Sequence, residues 1–199
     1  MATSSVIPIP ASMPAPPVGD GMRHGANYAF FLRDNTPGLT HPTYYGDILS
    51  SVTNKVCIWD PYFHKDDAVL FDKLPATIGE IVILSSKTNR KKAEYIQGII
   101  DETRNHVPTA AVGNCTITVA FIDTDSHGLD EWHTHDRFLI VDDSEYYLIG
   151  SSAEFHRRLR QSTGIYHITE NADKQVIQDA FNQTFAVSLA DRMYKTETL

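Results

Sequence analysis

The chain has 199 residues, a formal net charge of −8 and 42% hydrophobic residues. That suits one domain with a substantial core and excludes a protein that coats nucleic acid through a uniformly basic surface. No apolar stretch approaches the ~20 residues of a membrane span, so no membrane association is expected. The two cysteines, Cys57 and Cys115, fall inside apolar strand-like runs, which points to buried reduced thiols in a cytoplasmic protein and away from a disulfide or metal framework.

Residues 1–25 carry Pro8, Pro10, Pro14, Pro16 and Pro17 among alanine, serine and glycine, a composition that predicts a flexible tail. The tail lacks the basic start and continuous apolar core of a secretory signal. Residues 26–199 are expected to form the folded domain. In it, 27–33 reads as a strand, 34–42 as a loop and 44–53 as a helix. The apolar run from Lys55 is a short buried strand ended by Pro61. Asp60, Tyr62, Phe63 and His64 follow that strand directly, where open α/β sheets place their sites. A helix over 66–74, a strand over 80–85, an amphipathic helix over 89–104 with Ile96, Ile99 and Ile100 on one face, and a strand over 115–123 come next. A polar loop over 124–131, a strand over 164–169 and a helix over 172–189 complete the pattern. Strands alternating with helices predict an α/β fold, a mixed, largely parallel sheet flanked by helices.

The densest chemistry lies in 132–152. Phe138 to Val141 and Tyr146 to Ile149 are apolar runs joined by polar residues 142–145, the pattern of a buried hairpin. At its entrance stand His133, His135, Asp136 and Arg137. A buried strand has no structural use for so many polar groups, because each left unpaired costs roughly 1–3 kcal/mol.

The order His135-x-Arg137, four residues, Asp142, seven residues, Gly150-Ser151-Ser152 resembles the His-x-Lys-x4-Asp signature and Gly-Ser turn of the phospholipase D superfamily. The arginine variant resembles a branch often found in microbial nuclease and defence proteins. Here arginine replaces the usual lysine, one more residue precedes the glycine, and Ala153 stands in place of an asparagine. The resemblance implies a metal-independent phosphodiesterase in which one histidine attacks phosphorus and a second protonates the leaving oxygen. The chain carries one copy of the motif, so a homodimer bringing two His135 side chains together is expected, and such two-fold dimers are common.

On that reading His135 is nucleophile or acid, and Arg137, on the same face of its strand, clamps phosphate oxygens. Ser151 and Ser152 donate to the same phosphate, while Asp142 mainly holds the surrounding structure. Glu154 is the nearest carboxylate to replace the glutamate that orients the histidine in many relatives. His133, Arg157, Arg158, Tyr62 and His64 are candidate contacts to substrate. Basic clusters at Lys87, Arg90, Lys91, Lys92 and at Arg157, Arg158, Arg160 supply local positive charge, although a solvated helix face explains the first equally well. The expected substrate is DNA or RNA, with no cofactor or metal, and action within a larger effector complex stays open. Two alternatives stand beside this. One is an inactive member kept as a binding or assembly module. The other is a metal-dependent hydrolase built on His133 and His135 with His127 and Asp136, since residues i and i+2 of a strand share a face.

Overall fold

The structure, a computed structural model, describes residues 22–25, 28–31, 41–86, 92–122, 137–150 and 163–199. Its centre is three parallel strands: β3 (Lys55–Trp59), β4 (Glu80–Ser86) and β5 (Thr116–Ile122). Each is apolar at successive positions because both faces of the sheet are covered. Register aligns Val56 with Ile81 and Ile81 with Ile117, and Ile58 with Ile83 and Ile83 with Val119, in rows on one face. Cys57 and Val82, then Trp59, Leu84 and Ala120, point to the other.

Numbered in chain order, the remaining strands are β1 (Met22–Gly25), β2 (Tyr28–Phe31), β6 (Arg137–Val141), β7 (Glu145–Ile149), β8 (Thr163–Ile168) and β9 (Tyr194–Thr198). Among the described residues they form one nine-stranded sheet in the order β1-β2-β8-β7-β6-β3-β4-β5-β9. Parallel pairing is confined to β3–β4–β5, and every other pair is antiparallel. The class is α/β with a mixed sheet flanked by helices. The expected parallel majority is not met: the β6–β7 hairpin joins β3 antiparallel, and β8, β2, β1 and β9 extend the sheet with further antiparallel pairs.

Helix α1 (His41–Ser50) lays Tyr45, Ile48 and Leu49 on the first face. It begins earlier than the pattern suggests, because Pro42 in the first turn forfeits no intrahelical hydrogen bond. A 3-10 helix (Lys65–Lys73) adds Ala68, Leu70 and Phe71 to the same layer, and α2 (Lys92–His106) adds Ile96, Ile99 and Ile100. Helix α3 (Asn171–Ala190) covers the second face, where Phe181 meets Trp59 edge-on at 6.1 Å. Both cysteines are buried and unpaired. Burial pushes the Cys57 thiol up to about 12 and the Cys115 thiol up to about 11.

Two strands depart from the pattern. Residues 22–25, assigned to the tail by composition, form β1 against β2, and Tyr194–Thr198 extends the sheet beyond α3 as β9. Both are edge strands, held by backbone hydrogen bonds that polar side chains do not reveal. Among the described residues, no helix is long and apolar enough to cross a membrane.

Candidate functional site at the mouth of the β6–β7 hairpin

The sheet's direction gathers several chain ends. Strands β3, β4 and β7 finish where β6 and β8 start: Trp59 pairs with Phe138, Arg137 with Ile149, and the Gly150 N–H donates to the Gly164 carbonyl at 2.8 Å. This end carries the described polar residues that meet Arg137.

Asp60 follows the last ladder residue of β3 and is only 2% exposed. One step past the Trp59–Phe138 pair, it comes opposite Arg137 on the neighbouring strand, and Arg137 Nε donates to Asp60 Oδ1 at 3.2 Å. The same oxygen accepts from the Tyr62 N–H at 2.9 Å, closing a turn around Pro61. The guanidinium carbon of Arg137 lies 5.1 Å from the centre of the Tyr62 ring, a cation–π arrangement. The Arg137 side chain is 13% exposed, whereas Tyr62 is 49% exposed. Nearby, the buried Tyr45 phenol is held well above its ordinary pKa, first by burial and then by the negative charges of Asp60 and Asp67. Ser85, buried near the end of β4, has no hydrogen-bond partner for its hydroxyl among the described residues.

The sequence candidates divide. Arg137 and Tyr62 come together. His64 instead caps the 3-10 helix: its Nδ1 accepts from the Asp66 N–H at 3.3 Å, and Asp67 Oδ2 accepts from the His64 N–H at 2.7 Å. This reciprocal pair satisfies helix-end donors. Phe63 is fully buried against Phe71, which makes it a core residue although it follows the strand directly.

Asp142 does not stand with Arg137. It lies past the opposite end of β6, roughly 15 Å along the strand at the usual rise per residue. There Oδ2 accepts from the Thr53 N–H and hydroxyl, each at 2.8 Å, and Oδ1 from the N–H groups of Asn54 at 2.9 Å and Lys55 at 2.8 Å. Burial alone raises its pKa, but the donors on Lys55, Thr53 and Asn54 outweigh that and hold the carboxyl below its ordinary value. Asp142 therefore pins the hairpin turn to the start of β3, at the opposite end of the strand from Arg137.

His133, His135, Ser151, Ser152, Glu154, Arg157 and Arg158 lie outside the described residues, as do His127, Asp136, Ala153 and Arg160. Among the described residues, no group of three or more histidine, cysteine or carboxylate side chains is placed to hold a metal. Sequence reasoning placed Asp60 near the site without giving it a role. The available signal was a carboxylate directly after a buried strand and before a proline, although its partner 77 residues away becomes visible only through the β3–β6 register.

No protein-family model and no curated protein matches the chain. Solved structures do. The chain is similar to Nuc, a phospholipase D family member from Salmonella typhimurium, with a TM-score of 0.49 and 10% identity over 87% of this chain and 96% of that one. It is similar to NucT from Helicobacter pylori, with a TM-score of 0.46 and 14% identity over 73% of this chain and 87% of that one. Yeast tyrosyl-DNA phosphodiesterase gives a TM-score of 0.34 and 10% identity over 63% of this chain and 28% of that one.

Proposed function

We propose that the chain is a phospholipase D-like phosphodiesterase acting on nucleic acid. What carries the reading is the hairpin register: Arg137 pairs with Ile149, so the His-x-Arg motif runs into β6 at the same end of the sheet where β7 runs out into Gly150-Ser151-Ser152. A phosphate bound there meets the guanidinium, whose donors suit phosphate geometry. In this reading a ring nitrogen of His135 attacks phosphorus, the bond from phosphorus to the leaving oxygen breaks, and the symmetry-related His135 of a homodimer protonates that oxygen. Water then attacks the phosphohistidine, giving its proton to that second imidazole as the phosphorus–nitrogen bond breaks, which frees the first imidazole and restores the acid. Ser151 and Ser152 donate to the phosphate oxygens, Glu154 orients the imidazole, and His133, Arg157 and Arg158 extend the contact along the nucleic acid backbone. The reading places the enzyme in the cytoplasm, alone or as the effector of a larger assembly.

The test is a panel of single- and double-stranded DNA and RNA substrates, incubated with and without EDTA. Cleavage that survives EDTA and falls about 10²–10⁴-fold in His135→Ala supports the reading, a range typical for loss of an acid–base group. Cleavage abolished by EDTA favours the metal-dependent alternative. Nucleic acid binding with no cleavage, unchanged in His135→Ala, favours the binding module.

A further inference from the structure

The arginine at position 137 has a structural counterpart in Asp60. We propose that Asp60 is a positioning residue for Arg137, and that its buried carboxylate is the reason this site works with arginine and fails with lysine. The proposal rests on the phosphate-binding reading above and concerns how the cation is held.

A carboxylate as buried as Asp60 demands a partner, because desolvation of the charge is otherwise uncompensated. Arg137 supplies one through Nε, the innermost nitrogen of the guanidinium. A guanidinium has five N–H donors spread over three nitrogens, so it can hold a carboxylate through one nitrogen and meet a phosphate through the others. Lysine cannot divide its charge in this way. Its side chain places a methylene where arginine has Nε, and its single ammonium lies one bond further out. A lysine at 137 either leaves Asp60 facing that methylene or folds its ammonium back onto Asp60, away from a bound phosphate.

A further contact makes Asp60 a fixed reference point, and another holds the guanidinium beside it. Its Oδ1 also accepts from the Tyr62 N–H, which ties the carboxylate to the turn after β3. The Tyr62 ring then lies beside the guanidinium at 5.1 Å. Carboxylate and ring together restrict the swing of a side chain that otherwise has several rotatable bonds, and this spares part of the entropy cost of orienting it when phosphate binds. On the second face of the sheet, Trp59 and Phe138 pack with ring centres 5.6 Å apart, fixing the strand positions from which Asp60 and Arg137 project.

The experiment is a two-by-two set: the unaltered chain, Asp60→Asn, Arg137→Lys and the double variant. Inorganic phosphate affinity is measured by calorimetry and oligonucleotide cleavage in parallel, with unfolding curves confirming that all four are folded. Arg137→Lys is expected to weaken phosphate binding and cleavage about 10–100-fold, the range of a charge-assisted hydrogen bond. Asp60→Asn alone is expected to lose less than about tenfold, since an amide oxygen still accepts from Nε and from Tyr62 but no longer carries charge.

The decisive result is the double variant. Without the carboxylate to capture it, the lysine is released, and binding and cleavage recover relative to Arg137→Lys alone. A merely structural Asp60 gives no such recovery. A double variant as weak as Arg137→Lys, or weaker, overturns the positioning role while leaving the phosphate site standing. An unaltered chain that neither binds phosphate nor cleaves any substrate sinks the phosphodiesterase reading, and this proposal with it.

Discussion

The charged residues at the two ends of β6, Arg137 at its start and Asp142 just past its finish, are held in opposite ways. At one end Asp142 is surrounded by donors from the chain itself, three backbone N–H groups and a hydroxyl, all from Thr53 to Lys55. At the other, among the described residues, Arg137 meets the Asp60 carboxylate through Nε and lies beside a half-exposed aromatic ring. The first arrangement closes a hairpin turn in which Asp142 and Asp143 adopt positive φ of 51° and 54°. The second leaves chemistry at the rim. A motif that spans both ends therefore joins a residue enclosed by the backbone to one at an exposed rim, so neighbours in a sequence motif need not share one site.

The contrast breaks most sharply if Arg137 is removed. Arg137→Met keeps the apolar stem but removes the guanidinium that the buried Asp60 meets, and is expected to cost about 3 kcal/mol, read as a lower urea midpoint at unchanged slope. Asp142→Ala comes next. Its four donors sit at a partly wet turn where water replaces some of the loss, so about 2 kcal/mol is expected.

Acidity sharpens the same point. The folded-state pKa of Asp142 lies below its unfolded value of about 3.9, so the unfolded state binds more protons and stability rises with pH between the two values. The Asp142 contribution is complete above the unfolded pKa and fades as pH falls through the folded one. The stability gap between the unaltered chain and Asp142→Ala should narrow below about pH 4; a gap that stays constant to pH 2 contradicts the ionic character assigned to the turn. The smallest effect is expected from Tyr62→Ala. With its ring half exposed, stability should fall by less than about 1 kcal/mol, and a larger loss means that the ring holds the turn as well as the guanidinium.

Much of this organisation is legible in the sequence. The continuous apolar runs of β3, β4 and β5 announce strands buried on both faces, and the turn at 142–144 follows from polar residues between two apolar runs. The edge strands were not legible. Tyr194–Thr198 reads Tyr-Lys-Thr-Glu-Thr and is largely exposed, so its strand character comes from backbone pairing with β5 rather than from burial. His64 resembled a ligand because a histidine after a strand has many uses, and its capping role depends on where Asp66 and Asp67 fall in the next turn. Long-range register also explains why Asp60 lacked an assigned partner. Local patterns give strands but not their neighbours, and the sheet places β6, not β7 or β8, beside β3.

That placement has a consequence for how the molecule comes into being. Until the hairpin docks, β3 presents an unsatisfied ladder and Asp60, at its tip, lacks the Arg137 guanidinium. Docking closes the ladder and brings Arg137 to Asp60 in one event. A nascent chain halted before residue 137 would thus carry both an adhesive edge and a buried-to-be anion not yet joined to Arg137, and such truncated products should aggregate or be degraded rather than persist as a half-formed sheet.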